Sequence, residues 1–339
     1  MTTPARTIFL GSGSFAVPVV DALARHPAAD LLAVVTAPAR AGNRGRLTDP
    51  PVAEWADDNR IPMLRPPRLR SDEAVDAVRS LRPDLLVLAD YGQIVPQSLI
   101  DLPAHGALNL HPSLLPRHRG ASPIPAAIIA GDEETGVSLM LMDAGIDTGA
   151  VLAQSRHALR GSETAPRLEA DLATQAAQLL ADNLQLWLVG ELTPSVQPNE
   201  GATVTPLLRR ADGRLDPALA AATLERHVRA YQPWPGTFVD TDAGRLVVHV
   251  ARPIGDAPVE PGTLVATDGG ELGLATARGV LELVEVQPAG GRRMSGADLV
   301  RGRPTLIGSR VSDGTETGNA RTPAVGGGGP PTAKGGLRR

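Results

Sequence analysis

The stretch ALNLHPSLLPRHRG, residues 107–120, contains a short apolar strand that carries two polar side chains and ends at a proline. Asn109 and His111 are two positions apart, so on an extended strand they point to the same face. Pro112 ends the strand because it has no N–H group to donate to a sheet. A carboxamide and an imidazole therefore meet at the carboxyl end of a strand, where open α/β sheets bind their ligands.

The residues around this stretch alternate between strand-like and helix-like patterns through the first 192 residues. We predict strands at residues 7–10, 31–36, 85–89, 107–111 and 136–142 and helices at residues 16–25, 72–81, 123–130 and 166–189. Strands that alternate with helices indicate an α/β fold with a mostly parallel, Rossmann-like sheet. We expect residues 1–192 to form this α/β domain.

The pattern changes after residue 192. Residues 193–205 contain two prolines and a glycine and are predicted to be a linker. A helix at residues 217–231 is followed by short β-like runs between Asp/Gly turns, which predicts a small β-barrel within residues 206–310. Residues 311–339 lack aromatic side chains and are rich in Gly, Pro and Thr, which predicts a disordered tail.

The composition excludes several kinds of chemistry. The 339 residues include no cysteine, which excludes disulfides, thiolate zinc sites and a cysteine nucleophile. The only lysine is Lys334 in the tail, so the folded part has no lysine for a Schiff base. The net charge of −4 means that any nucleic acid must be bound by a local arginine patch. No apolar run approaches the roughly 20 residues of a membrane span, and no signal peptide is evident, so we expect a cytoplasmic protein.

A second polar segment, MDAGIDTG at residues 142–149, places acidic residues in a glycine-flanked turn. An acid near Asn109 and His111 completes a set that can hold an oxyanion and transfer protons. Asp147 and Asp143 are both candidates for this acid, because both lie in the same loop. Asp143 is also suited to stabilising the turn itself.

These two segments resemble the active site of the folate-dependent formyltransferases. The resemblance extends over about residues 7–308 and includes GSGSFA at residues 11–16, YGQIVP at 91–96, RAYQPWPG at 229–236 and QPAG with a following Met-Ser pair at 287–295. The last two motifs are typical of the family members that act on tRNA. The resemblance implies a Rossmann-like formyltransferase domain and an open, OB-like C-terminal barrel that binds tRNA.

The resemblance also implies a reaction and a catalytic site. The formyl group of 10-formyltetrahydrofolate would pass to the amino group of methionyl initiator tRNA, without a metal ion. Asn109 and His111 would stabilise the oxyanion, and the motif assigns the proton-managing acid to Asp147 rather than Asp143. We expect a monomer.

Substrate contacts follow from the same resemblance. The folate would meet Ser113, Leu114, Leu115 and Pro116 and the backbone near Gln93 and Ile94. The tRNA would meet a basic loop at residues 37–49 and the C-terminal domain. The candidate contacts there are seven arginines, which are Arg40, Arg44, Arg46, Arg209, Arg210, Arg292 and Arg293.

Other interpretations of the motifs can be weighed from sequence. Residues 11–16 match a dinucleotide fingerprint, but the second strand ends in VVTAP without the acid that binds a ribose, which disfavours NAD. A formyltransferase of amino sugar nucleotides or a folate hydrolase would share the catalytic site, and residues 287–295 argue against both. An RNA-binding protein without catalysis is disfavoured because all three polar residues are present.

Three details depart from the motif or stay open. Asp90 and Pro112 differ from the residues that the tRNA enzymes commonly carry there. The basic group at residues 117–119 is suited either to the glutamate tail of the folate or to a solvated loop. Trp234, between two prolines, is interpreted as a packing wedge.

Overall fold

The computed structural model describes residues 3–41, 47–255 and 259–312. The strands, in chain order, are β1 Ala5–Leu10, β2 Ala29–Val35, β3 Arg40–Ala41, β4 Leu47–Thr48, β5 Met63–Leu64, β6 Leu85–Leu88, β7 Ala107–His111, β8 Arg119–Gly120, β9 Glu134–Leu141, β10 Val151–Ala158, β11 Val204–Thr205, β12 Thr237–Thr241, β13 Gly244–Ile254, β14 Leu264–Ala266, β15 Leu272–Ala275, β16 Val280–Pro288 and β17 Met294–Ser295. The helices are α1 Ala16–Arg25, α2 Pro51–Asn59, α3 Asp72–Ser80, α4 Gln97–Ile100, α5 Pro123–Ala130, α6 Ala165–Leu188, α7 Ala221–Ala230 and α8 Gly296–Gly302.

The N-terminal part is built on a seven-stranded sheet with the order β10-β9-β7-β6-β1-β2-β5. Five of these strands, from β7 to β5, run parallel, whereas β9 pairs antiparallel with both β7 and β10. All four side chains of β6 are buried, as expected for a parallel strand covered by helices on both faces. The predicted mostly parallel sheet is therefore confirmed, and its carboxyl edge gathers the ends of β1, β6 and β7.

Helix α6 covers one face of this sheet. Its buried side chains recur every three or four residues, which gives one apolar stripe, and they include Leu168, Leu172, Ala176, Leu180 and Leu184. The burial of each leucine contributes about 1.5–3 kcal/mol. The stripe joins the core formed with α1 and the central strands, which confirms the helix predicted at residues 166–189.

The structure contains elements that the sequence patterns did not predict, including helix α2 and strand β10. Strand β10 is an edge strand paired with β9, and its mostly polar sequence VLAQSRHA lacks the apolar run that marks a strand. The helix predicted from residue 217 starts only at Ala221, because Ala220 is extended and Leu219 donates its N–H to the carbonyl of Asp216 in a turn.

The C-terminal part is an antiparallel sheet with the order β12-β13-β16-β15-β14, and β17 pairs with β16. The longest pairing, β13 with β16, shifts register on either side of Val250, and such bulges bend a strand. A separate apolar core lies between this sheet and helices α7 and α8. The predicted run of short strands is confirmed, and β12 and β14 stand at the two ends of the sheet order, which suits an open barrel.

The two parts are joined by more than a connecting chain. Val204 and Thr205, within the predicted linker, form β11 and pair in parallel with β8. Helix α7 contacts the first part through Arg226, whose Nε donates to the carbonyl of Ile129 at 2.9 Å. Arg229 likewise donates to the carbonyl of Glu163 at 2.8 Å.

A membrane-crossing helix, long and apolar enough for the task, is not found among the described residues. Within the same ranges, no group of three or more His, Asp or Glu side chains could hold a metal ion.

Candidate active site

The imidazole of His111 is fixed at the carboxyl end of β7. Its ring is buried, and Nε2 lies 2.9 Å from the carbonyl oxygen of His118. A carbonyl only accepts hydrogen bonds, so Nε2 must carry the proton in the neutral ring. The other nitrogen, Nδ1, lies 3.6 Å from Oδ2 of Asp147. The ring therefore turns a proton-accepting nitrogen towards the acidic side chain.

Asp147 connects the two polar side chains of β7. Its Oδ1 accepts a hydrogen bond from Nδ2 of Asn109 at 3.3 Å, and its Oδ2 accepts one from the N–H of Gly120 at 2.8 Å. The structure thus brings together Asn109, His111 and Asp147. Asn109 is partly exposed and has two N–H groups on Nδ2, of which one is donated to Asp147.

The backbone of Asp147 has a φ of 52°, in the left-handed region. Non-glycine residues seldom adopt this region, although Asp and Asn do so more readily than others. Such conformations persist where surrounding contacts enforce them, and they are common at active sites. The turn at residues 142–149 therefore directs the carboxylate back towards β7.

Asp143 performs a different task in the same turn. Its carboxylate accepts hydrogen bonds from the N–H of Gly145 at 3.0 Å and from the hydroxyl of Thr148 at 2.7 Å. It is exposed, and its hydrogen bonds remain within the turn. These contacts favour Asp147 over Asp143 as the acid of the site.

Gln197 supports the site and was not found from the sequence. Its Nε2 donates to the carbonyls of Asp147 at 2.8 Å and Gly149 at 2.7 Å. Its Oε1 accepts from Nε and Nη2 of the buried Arg119 at 3.0 and 2.8 Å. Gln197 lies in the predicted linker, where no periodicity or motif marks it.

Replacing Gln197 with Ala is expected to lower kcat about 10-fold and the free energy of unfolding by about 2 kcal/mol. The loss leaves the buried carbonyl of Gly149 and the buried guanidinium of Arg119 without this partner, at about 1–3 kcal/mol for each unsatisfied group. The carbonyl of Asp147 is only partly buried, so water can replace Gln197 there. Steady-state kinetics and urea denaturation measure the two effects. Gln185→Ala, at an exposed position of α6, is the matched control. An unchanged kcat in the Gln197 variant would exclude a positioning role.

The loop at residues 113–116 is held from below by β9 and β10. Ser138 donates its hydroxyl to the carbonyl of Ser113 at 2.7 Å and accepts the N–H of Leu115 at 3.0 Å. Gln154 donates to the carbonyl of Leu115 at 3.0 Å. Ser113 and Leu115 are buried, whereas the neighbouring Leu114 and Pro116 are partly exposed. The predicted contacts of this loop with a folate remain a prediction, with Leu114 and Pro116 as the accessible side chains.

Gln93 and Ile94 lie in the loop after β6. The amide of Gln93 is used internally, since Oε1 accepts the N–H of Leu69 at 2.8 Å and Nε2 donates to the carbonyl of Pro66 at 3.1 Å. Ile94 is 78% exposed, and no heavy atom lies within 4 Å of a Cβ built on the adjacent Gly92. An apolar side chain and open backbone are thus accessible here, which suits the backbone contacts expected for this segment.

The side chains of the basic group at residues 117–119 are bound within the protein, although Arg117 is also exposed to solvent. Arg117 and His118 both bind Asp132, and Arg119 is buried against Gln197. Burial lowers the pKa of His118 despite the hydrogen bond with Asp132. Burial alone would raise the pKa of Asp132, but hydrogen bonds from Arg117 and His118 hold it below its usual value. These contacts hold the loop that packs against His111.

The predicted tRNA contacts come from three segments of the chain. Arg40 is exposed at β3, while Arg44 and Arg46 lie outside the described residues. Arg209, Arg210, Arg292 and Arg293 are exposed in the C-terminal part, and Arg293 binds Glu285 at 3.2 Å.

The interpretation of Trp234 as a packing wedge is wrong. Its side chain is 51% exposed, and the guanidinium of Arg210 lies 5.6 Å from the centre of its ring. The indole thus lies at the surface, where it forms a cation–π contact with Arg210.

The chain combines a Rossmann-like sheet, a site of Asn, His and Asp side chains, and a second, antiparallel sheet. Comparison with known protein families shows which family has this combination. Residues 5–184 match the family described as formyl transferase, and residues 207–304 match the formyl transferase C-terminal domain. The chain belongs to the formyl transferase family.

Relatives with assigned functions are similar over nearly their whole length. The chain is 42% identical to the methionyl-tRNA formyltransferase of Myxococcus xanthus, over 90% of this chain and 97% of the relative. It is 40% identical to the methionyl-tRNA formyltransferase of Thermus thermophilus, over 90% of this chain and 99% of that one.

Solved structures share the fold at low sequence identity. The N-formyltransferase from Helicobacter canadensis, in complex with folinic acid and dTDP-3-aminofucose, has a TM-score of 0.60 at 15% identity, covering 83% of this chain and 99% of its own. HypX from Aquifex aeolicus, in complex with tetrahydrofolic acid, has a TM-score of 0.59 at 17% identity. The match covers 88% of this chain but only 47% of HypX, so this chain spans about half of that protein.

Proposed function

We propose that this enzyme transfers the formyl group of 10-formyltetrahydrofolate to the amino group of methionyl initiator tRNA, which yields the N-formylmethionyl-tRNA used to start translation. The observation that carries the proposal is the contact of Asn109 and His111 with Asp147, within a chain 42% identical to a methionyl-tRNA formyltransferase. The contacts support the proposed formyl transfer, and the name of the relative supports methionyl-tRNA as the acceptor.

The first chemical step is the attack of the amine on the formyl carbon. A C–N bond forms, and the electron pair of the carbonyl moves onto its oxygen. Asn109 stabilises this oxyanion with the N–H that is not donated to Asp147, because preorganised donors act most strongly where charge develops. His111 adds a second donor when Nδ1 is protonated, and Asp147 at 3.6 Å stabilises the resulting imidazolium.

The second step is the collapse of the tetrahedral intermediate. The bond between the formyl carbon and N10 of the folate breaks, and N10 leaves with the electron pair. The former amine must lose a proton and N10 must gain one. Asp147 is placed to orient a water that relays this proton, because its carboxylate contacts both Asn109 and the backbone at Gly120.

The folate would lie between the loop after β6 and the loop after β7. Ile94 offers an exposed apolar surface beside open backbone at Gly92, and Leu114 and Pro116 offer partly exposed apolar surface on the other loop. A planar, partly apolar ring system with polar edges is suited to such apolar walls combined with main-chain donors and acceptors.

The tRNA would be bound by separate arginine patches rather than by a uniformly basic surface. Arg40, with Arg44 and Arg46 in the same sequence segment, would meet the acceptor end, and Arg209, Arg210, Arg292 and Arg293 would meet phosphates from the C-terminal part. We place the enzyme in the cytoplasm, where translation starts. A monomer is sufficient, because one chain supplies Asn109, His111 and Asp147.

The direct test is formyl transfer from 10-formyltetrahydrofolate to charged methionyl initiator tRNA. An amino sugar nucleotide serves as the competing acceptor, and Asn109→Ala serves as the inactive control. Transfer to the tRNA that disappears in the control supports reaction, acceptor and site together. If only the amino sugar nucleotide is formylated, or only the folate is hydrolysed, the proposed chemistry of the site still holds but tRNA is excluded as the acceptor.

A further inference from the structure

A carboxylate that the mechanism above does not use lies at the same edge of the sheet. Asp90 follows the end of β6, and β6 pairs with β7 so that Leu88 is opposite Asn109. Asp90 is two residues beyond Leu88, as His111 is two residues beyond Asn109. The two neighbouring strands therefore deliver Asp90 and His111 to one edge, where adjacent strands are about 4.8 Å apart.

The position of the Asp90 side chain is enforced by the turn after β1. Its backbone has a φ of 47°, and its carbonyl accepts the N–H of Ser12 at 3.0 Å. A Cβ added to Gly13 would lie 1.7 Å from Oδ2 of Asp90, so the carboxylate occupies the space above this glycine. Gly13 thus leaves room for a carboxylate held in an uncommon backbone conformation.

The surroundings of Asp90 are electrostatically unfavourable for its charge. Desolvation by the surrounding protein atoms, together with the negative charge of Glu169 on α6, raises the pKa of Asp90 to about 6. Glu169 is itself held in place by the hydroxyl of Ser14. Asp90 is nevertheless an exposed residue. The neighbouring strand β7 ends in His111, and the turn after β1 has only uncharged residues at positions 11–14.

We propose that Asp90 binds the α-ammonium group of the acceptor and removes the proton that the nitrogen must lose before it attacks the formyl group. This role rests on the proposed function, because it requires an aminoacyl acceptor. An open carboxylate beside a second negative charge attracts a cation, and the acceptor brings one to this edge of the sheet.

The proton balance of the step is simple. An N–H bond of the ammonium breaks, its electron pair stays on nitrogen, and the proton moves to a carboxylate oxygen of Asp90. The lone pair then forms the C–N bond, and Asp90 returns the proton to solvent after the product leaves. An α-amino group has a pKa of about 7.7–8.0, so most of it is charged at pH 7. A carboxyl with a pKa of about 6 is a better-matched proton acceptor than one at 3.8.

The test is the pH dependence of kcat/KM in Asp90→Asn. Asn is nearly isosteric and tolerates a positive φ, so the turn is retained. At pH 7 we expect kcat/KM for the tRNA to fall about 100-fold. At pH 9.5 the amine is already neutral, and we expect the defect to shrink to about 3-fold. In the wild type, activity should fall as pH drops through about 6, because Asp90 then becomes protonated.

Two further variants sharpen the result. Glu169→Gln removes the negative neighbour and should shift the acidic limb of the wild-type profile to lower pH. Asp58→Asn, on the exposed surface of α2, should follow the wild type at every pH. A ratio of wild-type to Asp90→Asn activity that does not change with pH would overturn the role of Asp90 and leave the proposed function intact. A wild type that does not formylate the tRNA would overturn both.

Discussion

Asp147→Asn is expected to lower kcat by about 10³–10⁴-fold while the affinity for a non-reactive tetrahydrofolate analogue changes by less than about 3-fold. The substitution keeps the shape and tolerates the φ of 52°, but it removes the negative charge 3.6 Å from Nδ1 of His111. In the wild type, Nδ2 of Asn109 donates to Oδ1 of Asp147, and the substitution replaces this carboxylate with an amide. Acids that orient and stabilise a catalytic histidine have effects of this size.

Steady-state kinetics and calorimetric titration of the analogue measure these two quantities. The matched control is Asp143→Asn, because Asp143 is in the same turn and hydrogen-bonds only within it. We expect the control to retain kcat within about 3-fold. If the two variants lose activity equally, the turn as a whole matters and the specific role of Asp147 is excluded.

Asn109→Ala is expected to lower kcat by about 10²–10³-fold with little change in KM for the folate. Loss of one oxyanion donor has this magnitude because the donor interacts most strongly with the transition state. Truncation also removes the partner of Asp147 Oδ1, so a stability measurement by urea denaturation belongs beside the kinetics.

Asn59→Ala is the control for Asn109→Ala, since Asn59 is exposed at the end of α2 and donates only to the carbonyl of Trp55. It should leave both kcat and KM unchanged. An Asn109 variant in which only KM rises would mean that the side chain binds the ground state, and another donor would then have to hold the oxyanion.

Local patterns of sequence were sufficient for much of the fold. Helix α6 was predictable because its apolar positions recur with a helical period, and β6 because four apolar residues stand between turn signals. The partnership of Asn109 and His111 followed from the alternation of side chains along a strand. Asp147 could be assigned only through the resemblance to a family, since spacing alone left Asp143 as an alternative.

Long-range contacts were not predictable from local patterns. Gln197 contacts Asp147, which is 50 positions away in the sequence. The residues next to Gln197 in the chain are those of an ordinary polar loop, so no local pattern indicates this contact. Strand β11 is two residues long and pairs with β8 more than 80 positions away. Trp234 was misjudged because flanking prolines determine the backbone path but not whether the indole is covered.

The pairing of β8 with β11 determines where this protein can be divided. A fragment that ends at residue 192 retains Asn109, His111 and Asp147 but lacks Gln197 and the strand that holds Gly120 beneath the Asp147 carboxylate. We therefore expect a fragment that keeps these contacts to extend through residue 205 at least, and a chimaera with a foreign C-terminal half should be joined after that point. The segment between the two parts thus belongs structurally with Asn109, His111 and Asp147 rather than with the C-terminal sheet.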